Sequence, residues 1–115
     1  MGARTNYTII TTDNPEQNIN IYAHWDGDAS EDILQHALAK AKPRLDMGDI
    51  SYATRIIIDQ LTVDGRDSET GYGIYIGSDI THEEQYEYKE VNLINNTVTI
   101  GYTTYDLDKW LYAVV

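Results

Sequence analysis

The sequence predicts a single α+β domain over residues 1–115, with a mostly antiparallel sheet of about five strands packed against two to three helices. Three observations lead to this prediction. The length suits one hydrophobic core, segments with strand-like periodicity lie towards both ends, and two segments with helical periodicity lie between them. The predicted element order is β-β-α-α-β-β-β-α.

The first two strands are predicted at residues 7–12 and 19–25. The first is rich in β-branched residues, and Asn14-Pro15 then breaks it with a turn. In the second, apolar and polar residues alternate, which predicts a half-buried strand with Trp25 on the core side. We expect the two strands to form an antiparallel hairpin.

The first helix is predicted to begin at a capping box at residues 28–31, whose carboxylates also suit the positive end of the helix dipole. Three cations lie towards its carboxyl end, and Pro43 among them is expected to help stop the helix. The cations are Lys40, Lys42 and Arg44. Apolar residues recur between these ends at helical spacing: Ile33, Leu34, Ala37, Leu38 and Ala41.

A second helix is predicted to start after Gly48, with Asp49 as its cap. The run of three isoleucines at residues 56–58 suits a strand equally well. The capping position of Asp49 favours a helix, in which one stripe is apolar: Ile50, Ala53, Ile57 and Leu61.

The remaining strands are predicted at residues 72–76, 86–94 and 97–103. Two asparagines lie between the last two strands and predict a hairpin, because asparagine tolerates positive φ. A short amphipathic helix is expected at residues 106–112. No internal repeat or interdomain linker interrupts this order.

The composition excludes several classes of protein. The chain has no cysteine, so disulfides, thiolate metal sites and cysteine nucleophiles are excluded. No apolar run approaches the length of a membrane span, and the N-terminal residues do not resemble a secretory signal. We therefore expect a soluble, cytoplasmic protein that does not bind membranes.

The charge of the chain is strongly unbalanced. It has 19 acidic and 8 basic residues, a formal net charge of −11, and 10 tyrosines but no phenylalanine. Lys and Arg are missing from residues 5–39 and 67–88, each of which carries six carboxylates. Self-repulsion of this size costs stability, so the surplus favours a role in solubility or in binding a cationic partner. The sequence has no basic stripe, so direct nucleic-acid binding is not predicted.

The second acidic block is the candidate partner-binding surface, because its carboxylates alternate with tyrosines. The predicted contact residues are Asp79, Glu83, Glu84, Tyr86, Glu87, Tyr88 and Glu90. Tyrosines among acids suit a surface that docks on Lys and Arg. A solvated loop and edge strand, where charge blocks aggregation, explains the same residues equally well. A strongly acidic face also requires the cations at residues 40–44 to lie elsewhere.

Motifs for chemistry are weak, and no catalytic residue and no cofactor are predicted. His24 and Asp26 lie two apart on a predicted strand and are weak candidates for a metal site or proton transfer, but further ligands are not evident. Residues 26–37 imitate a calcium loop but lack its glycine and its bidentate glutamate. Three glycines at residues 71, 73 and 77 fit no phosphate-binding motif and predict a bulge or a close backbone approach.

Four short motifs lie along the chain: a Met-Gly-x-Arg start at residues 1–4, a His-Trp-Asp-Gly segment at 24–27, Gly-Asp-Ile-Ser at 48–51, and Thr-Val-Thr-Ile-Gly at 97–101. With these motifs the chain resembles a group of small tailed-bacteriophage proteins, and the resemblance covers most of its length. It implies a phage gene product acting inside an infected bacterium, and it implies no chemistry.

Together these observations favour a non-enzymatic protein that inhibits or redirects a host protein with a basic surface, such as an anti-phage restriction or CRISPR effector. Two alternatives stay open. One is a small metal- or nucleotide-dependent enzyme centred on His24 and Asp26. The other is a self-assembling phage structural component, and a homodimer is compatible with each of these hypotheses.

Overall fold

The computed structural model describes residues 4–79 and 88–113. Six strands and three α-helices lie in this part of the chain. The strands are β1 (Thr5–Ile10), β2 (Ile19–Ala23), β3 (Tyr72–Ile76), β4 (Lys89–Asn92), β5 (Thr97–Ile100) and β6 (Thr103–Asp106), and the helices are α1 (Ser30–Asp46), α2 (Ile50–Leu61) and α3 (Leu107–Ala113).

The strands form one mixed sheet in the order β3-β2-β1-β4-β5-β6. β1 and β4 run parallel at its centre, and every other neighbouring pair is antiparallel. The predicted α+β class and element order are confirmed, with one strand added. β6 follows β5 after a two-residue turn in which Gly101 has a φ of 62°, a conformation that suits tight hairpins.

β1 and β2 form the predicted antiparallel hairpin. Their connection contains a 3-10 turn, Pro15–Gln17, and the Asn14 side chain accepts a hydrogen bond from the Glu16 backbone N at 3.0 Å. β2 stops at Ala23, two residues before the predicted end. Trp25 therefore leaves the sheet and is 57% exposed, so its predicted place in the core is wrong.

Helix α1 begins without the predicted capping box. A 3-10 turn, Gly27–Ala29, leads directly into the helix, so Ala29 occupies the N-cap position, where a methyl group cannot accept a hydrogen bond. Ser30 Oγ instead donates backwards to the Gly27 carbonyl at 2.8 Å. The 3-10 turn thus takes the place of a side-chain cap.

Pro43 lies inside α1 and does not stop it, because the helix continues to Asp46. Contacts on both sides of Pro43 hold the helix in place: Lys42, just before it, bridges to Asp108 of α3 at 2.8 Å, and Leu45, beyond it, packs against the core. The chain leaves the helix at Gly48, whose φ of 74° is the usual C-terminal signal.

Helix α2 begins as predicted, because the Asp49 side chain accepts a hydrogen bond from the Tyr52 backbone N at 3.1 Å. Its predicted stripe is buried at Ala53, Ile57 and Leu61. α1 packs against α2, and α3 contacts α1, β5 and β6. Among the described residues, no helix is long and apolar enough to cross a membrane.

The core lies between the helices and one face of the sheet. Every second residue along the strands points into the core, and α1 and α2 form its opposite side. Its central members are Tyr7, Ile9, Ile21, Val91 and Val98 from the sheet and Leu34, Leu38, Ile57 and Leu61 from the helices. Strand residues of the other alternation are mostly polar, and we call the face that they form the polar face.

Candidate functional site

The polar face carries a continuous row of side chains across all six strands. Strand registers place Tyr75, Asn20, Thr8, Glu90, Thr99 and Thr104 side by side, one from each strand in sheet order. Every member can donate or accept hydrogen bonds. The sheet places strands that are far apart in sequence side by side, so residues 8 and 104 belong to the same surface.

Hydrogen bonds hold the half of this row that contains β1, β2 and β3. Thr8 Oγ1 donates to Asn20 Oδ1 at 2.7 Å, and Asn20 Nδ2 donates to the Gly77 carbonyl at 2.8 Å. Tyr75 OH reaches across β2 and donates to Asn6 Oδ1 at 3.2 Å. Thr8, Asn20 and Asn6 are buried, so their polar side chains obtain from neighbouring protein groups the hydrogen bonds that water would provide on an exposed surface.

Glu90 is the carboxylate at the centre of the polar face. It lies on β4 beside Thr8, and it accepts a hydrogen bond at 2.7 Å from the hydroxyl of Tyr88, which immediately precedes the strand. Both side chains are half-buried. The hydrogen bond to the carboxylate orients the tyrosine ring and the Glu90 side chain together.

The cations of the described chain lie mainly on the helical side. Lys40, Lys42 and Arg44 belong to α1, Arg55 to α2 and Lys109 to α3, with Arg66 in the loop after α2. The only cation within the six strands is Lys89, which is buried on the helical face and donates from Nζ to Thr5 Oγ1 at 3.0 Å. Arg4, just before β1, is half-buried. The strands therefore contribute no Lys or Arg to the polar face.

The structure places part of the predicted contact surface. Tyr88 and Glu90 lie together on the polar face, whereas Asp79 is exposed after β3, three strands from β4 in the sheet. Glu83, Glu84, Tyr86 and Glu87 lie outside the described residues. The prediction thus stays untested for these four residues.

Tyr22 and Tyr75 belong to the polar face but are not among the predicted contact residues. Both are half-buried, and Tyr22 OH lies 2.6 Å from His24 Nδ1. The alternation of β2 already places Tyr22 on the side away from the core. What the alternation could not show is that β4, with Glu90, lies only one strand beyond β1 in the same sheet.

His24 and Asp26 do not share a strand, because β2 ends before both of them. Tyr22 OH lies against His24, whereas Asp26 Oδ2 accepts a hydrogen bond from Tyr72 OH at 2.6 Å. Burial and this hydrogen bond to Asp26 raise the pKa of Tyr72. Among the described residues, no group of three or more His, Asp or Glu side chains is placed to hold a metal ion.

A cavity of about 280 Å³ opens beside Asp26, between α1 and the end of α2. Its walls combine the acidic side chains of Asp26, Asp32 and Asp64 with His36 and an apolar floor of Ile33 and Leu61. Asp26, Asp32 and His36 belong to the segment that imitates a calcium loop in sequence, whereas Asp64 joins them only through the packing of α1 against α2. The chemistry of its walls suits a small cation better than an anion.

The glycine just before β3 accounts for one prediction from the sequence. Gly71 has a φ of 102°, and a Cβ at this position would overlap the ring of Trp25. The predicted close backbone approach is therefore present at Gly71. Trp25 in turn meets His24 edge-on, with ring centroids 5.2 Å apart.

No protein-family model, curated protein or solved structure matches this chain.

Proposed function

We propose that the protein is a phage-encoded, non-enzymatic binding protein that inhibits or redirects a host protein with a basic surface. It acts in the cytoplasm of the infected bacterium. Its contact residues are those predicted in the acidic segment 79–90, of which Tyr88 and Glu90 lie on the polar face of the sheet. Nucleic-acid-handling defence proteins, such as restriction or CRISPR effectors, are the target class whose basic grooves match this surface.

The observation that carries the proposal is the placement of the cations, most of which lie on the helical side of the sheet. Lys40, Lys42 and Arg44 lie on α1, whereas the strands give the polar face Glu90 and no exposed cation. A basic partner that approaches the strands of this face meets the Glu90 carboxylate and no strand cation, while Arg4, just before β1, is half-buried. Had the α1 cations shared the polar face, they would have cancelled much of the attraction.

The tyrosines supply the contact area that charge alone lacks. Tyr22, Tyr75 and Tyr88 are half-buried, and each hydroxyl lies within hydrogen-bonding distance of a neighbouring side chain. A ring that is already ordered loses little conformational entropy when a partner covers it. Tyrosine also combines a broad apolar surface with a polar tip, which suits a basic, partly aliphatic Lys or Arg side chain.

The test is affinity capture from bacterial lysate with matched charge variants. Glu90→Gln removes a carboxylate from the polar face, and Glu31→Gln removes one from the exposed first turn of α1. The triple variant of Glu83, Glu84 and Glu87 to glutamine tests the predicted acidic segment. We expect the captured host protein to be lost with Glu90→Gln and with the triple variant, and retained with Glu31→Gln.

Salt provides the second arm of this test. Raising NaCl from about 50 to about 300 mM shortens the screening length from roughly 14 to roughly 6 Å, so capture should weaken steeply. Capture that does not change with salt contradicts the proposal. An equal loss with Glu31→Gln contradicts it as well, because net charge alone, and not the polar face, would then control binding.

A further inference from the structure

The outer edge of β3 offers a row of outward-facing peptide groups. His24 N donates to the Gly71 carbonyl at 2.8 Å, and Gly77 N donates to the Asn18 carbonyl at 2.9 Å. Since hydrogen-bonded residues alternate along an antiparallel pair, the peptide groups of residues 71, 73, 75 and 77 face β2. Those of Tyr72, Ile74 and Ile76 therefore face away from the sheet. No strand in residues 4–79 and 88–113 pairs with this edge.

Within β3 itself, none of the residue types that usually protect an edge strand is present. β3 has no charged residue and no proline, and Ile74 and Ile76 are 55% and 63% exposed on the same side. Natural edge strands are normally blocked by lysine, proline or a bulge, because an unprotected edge accepts another strand. The combination of free peptide groups and exposed isoleucines makes β3 a template for strand addition.

The charges at both ends of β3 determine which strand fits. Asp67 and Glu69 precede it, and Asp79 and Glu16 lie at its far end, where Ser78 Oγ donates to Glu16 Oε2 at 2.7 Å. If a second copy of the chain paired with β3, acids would face acids in either the parallel or the antiparallel orientation. Like charges across a strand pair are destabilising, so the ends of β3 disfavour self-association.

We propose that β3 accepts an extended segment of a partner protein as a seventh strand of the sheet. The segment has apolar residues at alternate positions, which cover Ile74 and Ile76, and Lys or Arg at both ends, which face the acids flanking β3. This interaction does not depend on the proposed function of the polar face. Its backbone hydrogen bonds provide affinity, and the basic ends provide selectivity.

The probe for this proposal is a fluorescent peptide, Lys-Lys-Val-Thr-Val-Thr-Val-Lys-Lys, compared with the peptide in which glutamate replaces every lysine. Fluorescence anisotropy at low ionic strength measures binding of each to the whole protein. We expect the lysine peptide to bind at least about tenfold more tightly, since several charge pairs favour it. Equal binding of the two peptides overturns the proposal.

Three variants locate the binding to β3. Ile74→Pro removes an outward N–H without breaking the ladder to β2, and Glu69→Gln with Asp79→Asn removes the flanking charges without changing the strand. Ile74→Thr has a matched control in Ile94→Thr, at an exposed isoleucine of the β4–β5 turn. We expect the β3 variants to weaken binding of the lysine peptide and the Ile94 variant to leave it unchanged.

Two further outcomes are decisive. If Ile74→Pro does not fold, as thermal unfolding will show, the Glu69/Asp79 double variant still tests the proposal, and unchanged peptide binding in that variant overturns it. A dimer in sedimentation that Ile74→Thr disrupts also overturns it, because a second copy would then occupy the edge. Glu90→Gln should not alter peptide binding, which separates this test from that of the polar face.

Discussion

Tyr7 carries an unsatisfied polar group in the core. It lies between Ile21 of β2 and Lys89 of β4 and is 1% exposed, and its hydroxyl has no hydrogen-bond partner among the described residues. A buried hydroxyl without a partner loses its hydration without replacement. Its neighbour Tyr72 differs, because the Tyr72 hydroxyl donates to Asp26.

This contrast predicts opposite effects of two equivalent substitutions. Tyr7→Phe removes an unsatisfied hydroxyl and should raise the free energy of unfolding by about 1 kcal/mol. Tyr72→Phe removes the hydrogen bond to Asp26 and should lower the free energy of unfolding by about 1 kcal/mol. Urea unfolding at neutral pH measures both. A loss of stability in Tyr7→Phe would show that its hydroxyl has a partner in solution.

The same two tyrosines predict how stability depends on alkaline pH. Burial raises the pKa of Tyr7, and the Asp26 carboxylate adds to the effect, while burial also raises the pKa of Tyr72. Above about pH 10 the unfolded state loses these protons and the folded state keeps them, so stability is full below that pH and falls above it.

The expected slope can be measured directly. Tyr7 alone should contribute a fall of about 1.4 kcal/mol per pH unit above pH 10, and Tyr72, which is half-buried, should contribute less. Urea unfolding between pH 9 and pH 11 should therefore be less steeply pH-dependent in Tyr7→Phe than in the natural sequence. Identical slopes in the two proteins would contradict this assignment.

Single residues also show where sequence reasoning fails. Trp25 continues the alternation of β2 in sequence, but the strand ends at Ala23 and the indole packs over Gly71 instead. Lys89 cannot be recognised as buried from its neighbours in sequence, because its place beside Tyr7 depends on the parallel pairing of β1 with β4. Both cases concern where a side chain points, which depends on the partner strand as well as on local pattern.

At the scale of elements, α1 retains an internal proline. Pro43 has no backbone N–H to donate to the preceding turn, and a proline in a helix interior costs about 3 kcal/mol relative to alanine. The helix continues because Ala41 and Leu45 pack onto the core on either side of it. Contacts of the element as a whole thus outweigh the local preference to stop.

Pro43→Ala should therefore stabilise the protein. Pro43 is exposed, so the change removes no core contact and restores a helical hydrogen bond, with an expected gain of about 1 to 3 kcal/mol. Chemical unfolding measures the gain. Pro15→Ala is the matched control, because Pro15 begins a 3-10 turn, where proline is well suited, and its removal should not stabilise.

Elements with strong local signals were predictable, and those defined by their partners were not. Asp49 caps α2, and Asn96 takes the positive φ of 57° expected of the β4–β5 turn. β6 was missed because its four residues, Thr103–Asp106, form a strand only beside β5 and all are exposed. The local pattern thus identified nearly every element, although it misplaced several ends.

At the scale of the whole molecule, strand order decided what sequence could reveal of the candidate site. The acidic character and the tyrosines were visible in the sequence, as was the condition that the cations at residues 40–44 lie elsewhere. The assembly of Tyr75, Asn20, Thr8 and Glu90 into one row was not, because it needs the non-local pairing of β1 with β4. The acidic and aromatic character of the surface was therefore predictable from the sequence, whereas the positions of its residues in the sheet were not.

The net charge of −11 makes a final prediction about the whole fold. Repulsion among the carboxylates destabilises the compact state, and salt screens it, so the melting temperature should rise when NaCl is raised from about 20 to about 500 mM at pH 7. Ion pairs such as Lys42–Asp108 and Arg66–Asp59 act in the opposite direction, but exposed pairs of this kind contribute little to stability. At pH 5, closer to the sequence pI of about 4.3, the net charge is smaller and the rise should shrink. Circular dichroism melts at both pH values measure the effect, and a melting temperature that falls with salt at pH 7 would mean that ion pairs, and not repulsion, dominate the electrostatics of this fold.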